Sequence, residues 1–399
     1  MRRSDHQRNI LLGLALTAAS VLPALISPGP SGPAPLTSAP TTTATAPAPP
    51  PAGGPVNGKL QIHFMDVGQG DGALLVSPQG QTVLFDDGKR LNCDAPVSYL
   101  QQLGITKIDY LIVSHYHDDH IGCTTEVLNE FPLQTASYDR GGVYNSGTYD
   151  KYVAKVGSKR VLATVGTTIT LDSGSANPVR IELVALNGNG VVTTNENDLS
   201  LVATVHFGNF DAVIGGDLSG FKTDNYEDIE TSVGPKVGQV EVYKVDHHGS
   251  AYSSNDTWLT TIKPKIGIIS TGNGNKYGHP TLECLERLHA ANIKTYWTET
   301  GAGVEPDPKL DVVGGNIVVQ NGPGEPTFTV TYGTGKVDSY PLWGGGGSGP
   351  PVTATFAWSK NSSIYHLAAC SFVKNISPAN LQTGNTAPAG KTLHVGCPK

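Results

Sequence analysis

Nine residues, Ser114 to Gly122, read SHYHDDHIG and hold three histidines and two aspartates directly after the apolar run Tyr110–Val113. Their spacing, H-x-H-x-D-H, puts His115, His117, Asp119 and His120 on one turn at a strand end. Imidazole nitrogens with a carboxylate suit Zn²⁺, Mn²⁺ or Fe²⁺, whereas Mg²⁺ and Ca²⁺ prefer more oxygen. Four ligand side chains within six residues crowd a single ion. The spacing therefore points to two, with His115 and His117 on one and Asp119 and His120 on the other. A polar surface turn with incidental histidines is the bland alternative, and it does not account for this density of ligand types.

Two ions need more ligands and a shared one. In AVIGGDLSG, Asp217 follows an apolar strand and two glycines, where a buried carboxylate is costly unless it meets a cation. VYKVDHHGSAYSS ends another strand with Asp246, His247, His248 and Gly249. Alone, the His-His pair carries little weight; it gains some because the first cluster lacks partners. His279 in YGHP reads equally well as a catalytic group and as a loop anchor, with Ser250, Ser253 and Asn273 as hydrogen-bonding candidates nearby. One basic run, DKYVAKVGSKR, carries Lys151, Lys155, Lys159 and Arg160 and could track a phosphodiester backbone. Such a run is more commonly a solvated helix face. His206, at an alternating strand position, reads as a packed or surface histidine.

The elements that must position these groups are legible as texture. Leu60, Ile62 and Phe64 alternate with polar residues as a strand does, and ALLVS, QTVLF and IDYLIV follow, with the helical APVSYLQQLG between the last two. RIELVAL, LSLVATVHF, DAVIG, VEVYKV, IGIIS and KTYWT read as later strands, and PTLECLERLHAANI as a helix. Strands outnumber helices, and the pattern predicts two sheets packed face to face with helices outside.

Around this core the chain of 399 residues changes composition. Arg2, Arg3 and Arg8 precede an apolar stretch from Ile10 to Ile26, short for a membrane span and interrupted by Pro23, so residues 1–28 read as a secretory signal peptide, or alternatively an anchor. No Cys lies near it, which excludes a lipoprotein anchor. Residues 29–58 are a Pro/Ala/Thr linker, 59–338 the main domain, 339–351 a Gly-rich linker, and 352–399 a small C-terminal module. Export permits disulfides. Of five cysteines, Cys370 with Cys397 is the pair expected, pinning the small module; Cys93 with Cys123 is the second choice, and Cys284 fits a buried thiol. A net charge of −7 advertises no polyanionic partner through a global field.

Taken together, FMDVGQGDGALLVSPQGQTVLFDDG, SHYHDDHIG, ENDLSLV, VIGGDLSG, VDHHGSAYSS and NKYGHP resemble the metallo-β-lactamase superfamily, and more specifically the ComEC-like domain of competence proteins and its stand-alone relatives. The resemblance runs from Leu60 to Tyr332. It implies an α+β fold, a four-layer αββα metallo-β-lactamase sandwich with a dinuclear site at the sheet edge. His115 and His117 would bind the first ion, Asp119 and His120 the second, and Asp217 would bridge them. His247 would complete the coordination of the second ion, with His248 beside it, and Asp86 would orient the ligand loop. Asp66 and Asp71 would line the same sheet end. Most of the superfamily has a further histidine on the first ion; here NENDLSLV offers Asn197, Asp198 or Ser200, which leaves one-metal occupancy open.

The implied function is an exported hydrolase, periplasmic, extracellular or membrane-tethered, that uses two divalent ions, Zn or Mn, to activate water against phosphodiesters, DNA in particular. Asp119, His248 and His279 would be catalytic, and Ser250, Asn273, Lys151 and Lys155 would hold substrate. ComEC proteins take part in DNA uptake and span the membrane many times, whereas this chain carries no transmembrane channel. Phosphorylcholine or teichoic-acid ester hydrolysis, lactone hydrolysis, and a non-catalytic surface binder are the alternatives.

Overall fold

A computed structural model of the protein describes residues 55–343, 356–367, 373, 376, 380–384 and 391–393. The expected signal segment, and the expected Cys370–Cys397 pair, lie outside the described residues.

The chain builds two sheets in turn. β1 (Leu60–Phe64), β2 (Gly72–Val76), β3 (Thr82–Asp87), β4 (Ile108–Ile112), β5 (Leu133–Asp139) and β6 (Arg160–Leu162) belong to the first. β7 (Thr168–Leu171), β8 (Val179–Ala185), β9 (Val202–Phe207), β10 (Phe210–Ile214), β11 (Val242–Lys244), β12 (Ile266–Ile269), β13 (Lys294–Trp297) and β14 (Asp311–Val313) form the second. β15 (Ile317–Asn321), β16 (Thr327–Tyr332) and β17 (Lys336–Pro341) then return to the first, where β15 pairs antiparallel with β1, Ile62 opposite Val319. The Gly-rich linker expected from residue 339 therefore begins inside β17. By itself, the C-terminal segment forms a four-stranded sheet from β18 (Phe356–Ser359), β19 (Ile364–Leu367), β20 (Leu381–Gly384) and β21 (Thr392–Leu393).

Side-chain alternation explains the layers. Ala73 and Leu75 of β2 join Leu60, Ile62 and Phe64 between the sheets, where they meet Ile181, Val205, Ile268 and Phe328. Leu74 and Val76 point the other way, onto Leu100 of α1 (Asp94–Gln102) and Val127 of a later helix. That face is covered by α2 (Asp118–Ile121), α3 (Thr124–Glu130) and α4 (Gly147–Val156) as well. On the second sheet, Val213, Tyr243 and Ile269 pack against α5 (Glu230–Val237), α6 (Asp256–Ile262) and α7 (Leu282–Ala290), through Val233, Trp258 and Leu285. Strands covered on both faces read as near-continuous apolar runs, which is why ALLV and IGII lack a polar alternation. Each fully buried Leu, Ile or Phe contributes about 1.5–3 kcal/mol of transfer free energy. The architecture is the four-layer αββα sandwich.

Two parallel blocks decide where function sits. β3 to β6 run parallel, as do β10 to β14. In open sheets of this kind, ligand-binding groups gather beyond the carboxyl ends of the strands. Asp86, Ser114, Asp217, His247 and Ser270 all occupy such ends.

Cys93, before α1, is joined to Cys123, after α2, by a disulfide with Cα atoms 5.2 Å apart. Cys284 is a buried free thiol.

His63 of β1 is 3% exposed, its Nδ1 is 2.9 Å from the Tyr99 hydroxyl of α1, and its Nε2 is buried without a partner. Burial pushes its pKa down from 6.5 to about 4. The unfolded chain thus takes up a proton that the folded chain refuses. Its contribution is complete above pH 6.5 and is lost as the pH falls toward 4, amounting to about 3 kcal/mol at 1.36 kcal/mol per unit. Urea unfolding at pH 7.5 and pH 4.5 is expected to show a smaller acid loss for His63→Phe than for wild type. Equal losses would refute this account.

Candidate metal centre

The ligand turn is clamped from below by two adjacent carboxylates. Beyond β4, the Ser114 N–H donates to Asp86 Oδ1 at 2.8 Å and its hydroxyl to Asp86 Oδ2 at 2.6 Å. That same oxygen accepts from His120 Nδ1 at 2.8 Å. Asp87 accepts from Cys123 N at 2.9 Å and from the Thr124 hydroxyl, fixing the exit of the turn. Asp86 holds this double contact from the left-handed region, at φ 52°. From the side, Asp71 N–H donates to the Asp119 carbonyl at 3.0 Å. A Cβ on neighbouring Gly70 would lie 2.5 Å from that carbonyl oxygen, so the GQGDG turn requires glycine there.

Asp217 stands between two sets of ligands. Its Oδ2 lies 3.9 Å from His115 Nε2 and 3.7 Å from His247 Nε2. Its Oδ1 lies 3.3 Å from His120 Nε2 and 3.6 Å from His248 Nε2, which is itself 3.6 Å from Asp119 Oδ2. His115, His117 and Asp217 form one group of ligand atoms within 4.8 Å of one another, and Asp119, His120 and His248 form another. Asp71 joins two further groups, with Asp86 and His120 and with Asp217 and His248.

The histidine pair is therefore arranged differently from the sequence-based expectation. His248, not His247, faces Asp119 and His120. His248 Nδ1–H donates to the Ser270 carbonyl at 2.9 Å, which aims its Nε2 toward Asp217 and Asp119. His247 approaches Asp217 on the His115 side, with Asn197 Nδ2 3.1 Å from its Nε2. Both residues have positive φ, 52° and 55°, which throws neighbouring side chains to opposite sides of the Asp217 carboxylate. This places an imidazole on the side where NENDLSLV supplies none.

The chemistry of the donor set fits divalent cations. Asp217 Oδ1, His120 Nε2 and His248 Nε2 are all buried without a hydrogen-bond partner, and the two ring nitrogens lie 3.3 and 3.6 Å from that oxygen. Buried lone pairs so arranged are costly unless a cation compensates them. The titration directions agree. Burial alone would push His120 down, yet Asp217 and Asp86 hold it well above its ordinary value. Burial would raise Asp217, yet His120, His248 and His247 hold it well below the carboxylate range. The cage attracts positive charge.

Other side chains support the cage without joining it. Ser200 Oγ accepts from Asp217 N at 3.2 Å and lies 3.4 Å from His115 Nδ1. Two supports escaped the sequence reading. Lys244, buried on β11, donates to Asp71 at 2.7 Å and, against burial, keeps that carboxylate ionised. Glu196 accepts from Tyr116 N at 2.9 Å and pairs with Arg140 at 2.6 Å, holding the backbone between His115 and His117. Their separations, 173 residues for Lys244 with Asp71 and 80 for Glu196 with Tyr116, leave no local signal.

Several expected site residues lie elsewhere. Asp66 accepts from Gly68 N in its own turn, and burial with Glu299 raises it to about 6. Asp198 accepts from Thr193 and Glu227 N, which ties loops together. Asn273 accepts from Thr300 N instead of facing the cage. Lys151 lines a different cavity, and Lys155 donates to Asn129. Neither lysine reaches the pocket of about 560 Å³ above the cage, because α4 packs through Tyr149, Tyr152 and Val156 and turns its lysines outward. Ser250 and His279 do line that pocket.

Two sheets whose parallel strands end on clustered histidines and aspartates define a metal-dependent hydrolase of the metallo-β-lactamase fold. A family model described as Metallo-beta-lactamase superfamily matches residues 65–273, and the chain belongs to that superfamily. It is 24% identical over 263 residues to ComE operon protein 3 of Bacillus subtilis (strain 168), covering 61% of this chain and 32% of that protein. It is 28% identical over 237 residues to Recombination protein 2 of Haemophilus influenzae, covering 57% and 26%. With Competence protein ComA of Neisseria gonorrhoeae the identity is 26% over 247 residues, covering 61% and 32%. The chain thus spans about a third of the length of these relatives or less, and they are ComEC-like competence proteins.

Groups that orient metal-binding histidines typically account for 10–100-fold in metal affinity. Asp86→Asn is accordingly expected to weaken Zn²⁺ binding by about that factor in competition with a chromophoric chelator, and Asp198→Asn by less than about twofold. Equal effects of the two would remove the orienting role from Asp86.

Proposed function

We propose that the protein is an exported, metal-dependent phosphodiesterase acting on DNA. The observation that carries this reading is the Asp217 carboxylate, one oxygen turned to His115 and the other to His120 and His248, at the floor of an open pocket. His115, His117 and His247 would hold one cation, Asp119, His120 and His248 the second, with Asp217 shared. When bound, such ions supply Lewis acidity toward phosphoryl oxygens and lower the pKa of water toward neutrality.

The chain's own residues do the rest. Asp119 and His248 would serve as ligands, and both face the pocket in which a phosphoryl group would sit. His279 lines the pocket with a buried, unpartnered Nδ1, and burial with His248 and His247 nearby lowers its pKa to about 3. A neutral imidazole holds a phosphate oxygen by hydrogen bonding and does not serve as a strong acid. Ser250 accepts from Tyr252 N at 3.3 Å and keeps this rim in place. Among the described residues no lysine or arginine lines the pocket, so cations held in the cage would balance the charge of the phosphodiester.

Export is supported by the basic-then-apolar N-terminus and by the Cys93–Cys123 disulfide, a bond that persists in oxidising compartments. Among the described residues no helix is long and apolar enough to cross a membrane. An uncleaved leader would tether the enzyme to the cell envelope.

The test is a substrate panel with protein loaded with Zn²⁺ or Mn²⁺. Bis-p-nitrophenyl phosphate and linear DNA are expected to be hydrolysed, with p-nitrophenylphosphorylcholine and nitrocefin cleaved far more slowly, and EDTA should abolish all activity. His279→Ala is expected to lower kcat/KM about 10–100-fold, as for a lost hydrogen bond to a charged group. Stoichiometric bound metal with no phosphodiester hydrolysis would overturn the proposal.

A further inference from the structure

The strands of the second sheet begin, at the end away from the cage, on a cleft of about 690 Å³. Lys265 and Lys294 stand at the amino ends of β12 and β13, whereas Ser270 and the cage loops lie at the carboxyl ends. The floor of the cleft is apolar: Leu259 and Ile293 are 3% and 1% exposed, and Pro264 is buried beside them. One wall is the Trp343 ring. Its indole N–H donates to the Val240 carbonyl at 3.0 Å and its backbone N–H to Glu241 Oε1 at 2.9 Å, so the ring is held from behind. An apolar cleft of this size with a few polar groups on its rim has the build of a small-molecule site.

The rim narrows the ligand. Among the described residues, every charged side chain that lines the cleft is a lysine: Lys263, Lys265, Lys294 and Lys309. Two of them are answered within the fold. Lys294 donates to Asp338 Oδ2 at 2.7 Å, and Lys265 Nζ lies 3.4 Å from the Trp343 ring centroid with Glu241 nearby. Lys263 and Lys309 are exposed, and no carboxylate of the described residues lies at ion-pair distance from either. Lys263 follows the carbonyl end of α6, which carries only a partial negative charge, so the rim keeps a positive surplus. The metal pocket is the converse, with Asp118 and Asp119 in its lining and no lysine. A neutral apolar guest would leave the ammonium groups unanswered, and a wholly hydrophilic anion would leave the floor wet. We propose that this cleft is a second ligand site, which takes a small amphiphilic anion. Its apolar body lies against Leu259, Ile293 and Trp343, and its single carboxylate, sulfonate or phosphate head is held by Lys263 and Lys309. The site stands apart from the metal centre and does not depend on the reaction proposed there.

The test titrates the zinc-loaded full chain with 8-anilinonaphthalene-1-sulfonate and with N-phenyl-1-naphthylamine, the same rings without the sulfonate, and follows dye fluorescence. The sulfonate is expected to bind at least about tenfold more tightly than the neutral amine, as for hydrogen bonds to a charged group. Decanoate should displace it, and decanol should not. Lys263→Gln combined with Lys309→Gln is expected to lower sulfonate affinity about tenfold and to leave the amine unchanged. Lys151→Gln combined with Lys155→Gln makes the same change of net charge on α4 and should alter neither. Equal affinity for sulfonate and amine would overturn the proposal, as would equal losses in the cleft and α4 variants. Sulfonate binding that disappears when EDTA removes the zinc would place the dye at the cage and overturn it too.

Discussion

Concentrated negative charge in a buried place is the constraint on which this molecule turns. Asp71, Asp86, Asp119 and Asp217 converge on His120 and His248, and Lys244 donates a full positive charge to Asp71. Burial of like charges is tolerated where opposite charge is supplied, and leaving them unpaired costs several kcal/mol per ion, a sum comparable to the stability of a domain. The surrounding sandwich can be read as a frame stiff enough to keep these carboxylates together until cations balance them.

That stiffness has identifiable sources. Asp86 and Asp87 each grip one end of the ligand turn, and the Cys93–Cys123 bond ties its exit to the start of α1. Gly216 shows how tightly the two sheets meet there: a Cβ at that position would lie 2.6 Å from Ser114 Cβ. The first sheet thus presses its turn against the loop that carries Asp217, and that carboxylate has little room to drift.

Much of the metal site was legible because its information is local. H-x-H-x-D-H and the Gly-Gly-Asp after β10 each follow a recognisable strand, and the apolar runs point to two facing sheets with helices outside, whereas the role of Asp86, at the end of β3, came only from the family resemblance. The division of labour between His247 and His248 was not legible, since it depends on two consecutive left-handed residues that no spacing rule reports. Lys244 escaped notice because its partner is 173 residues away. Lys151 and Lys155 misled for the opposite reason. Their sequence neighbourhood is basic, but the buried stripe of α4 decides which way they face. β14 to β17 went unread, being short or half-exposed strands without strong apolar contrast.

The return of the chain to its starting sheet bears on how the enzyme matures. β1 lies between β2 and β15, and Leu60 pairs with Asn321, so a strand made early is sealed only by one made late. Such long-range pairing slows folding, because loop closure precedes the contacts that reward it. The cage draws its ligands from both sheets and so takes final shape after that closure, with metal capture as a late event in biogenesis.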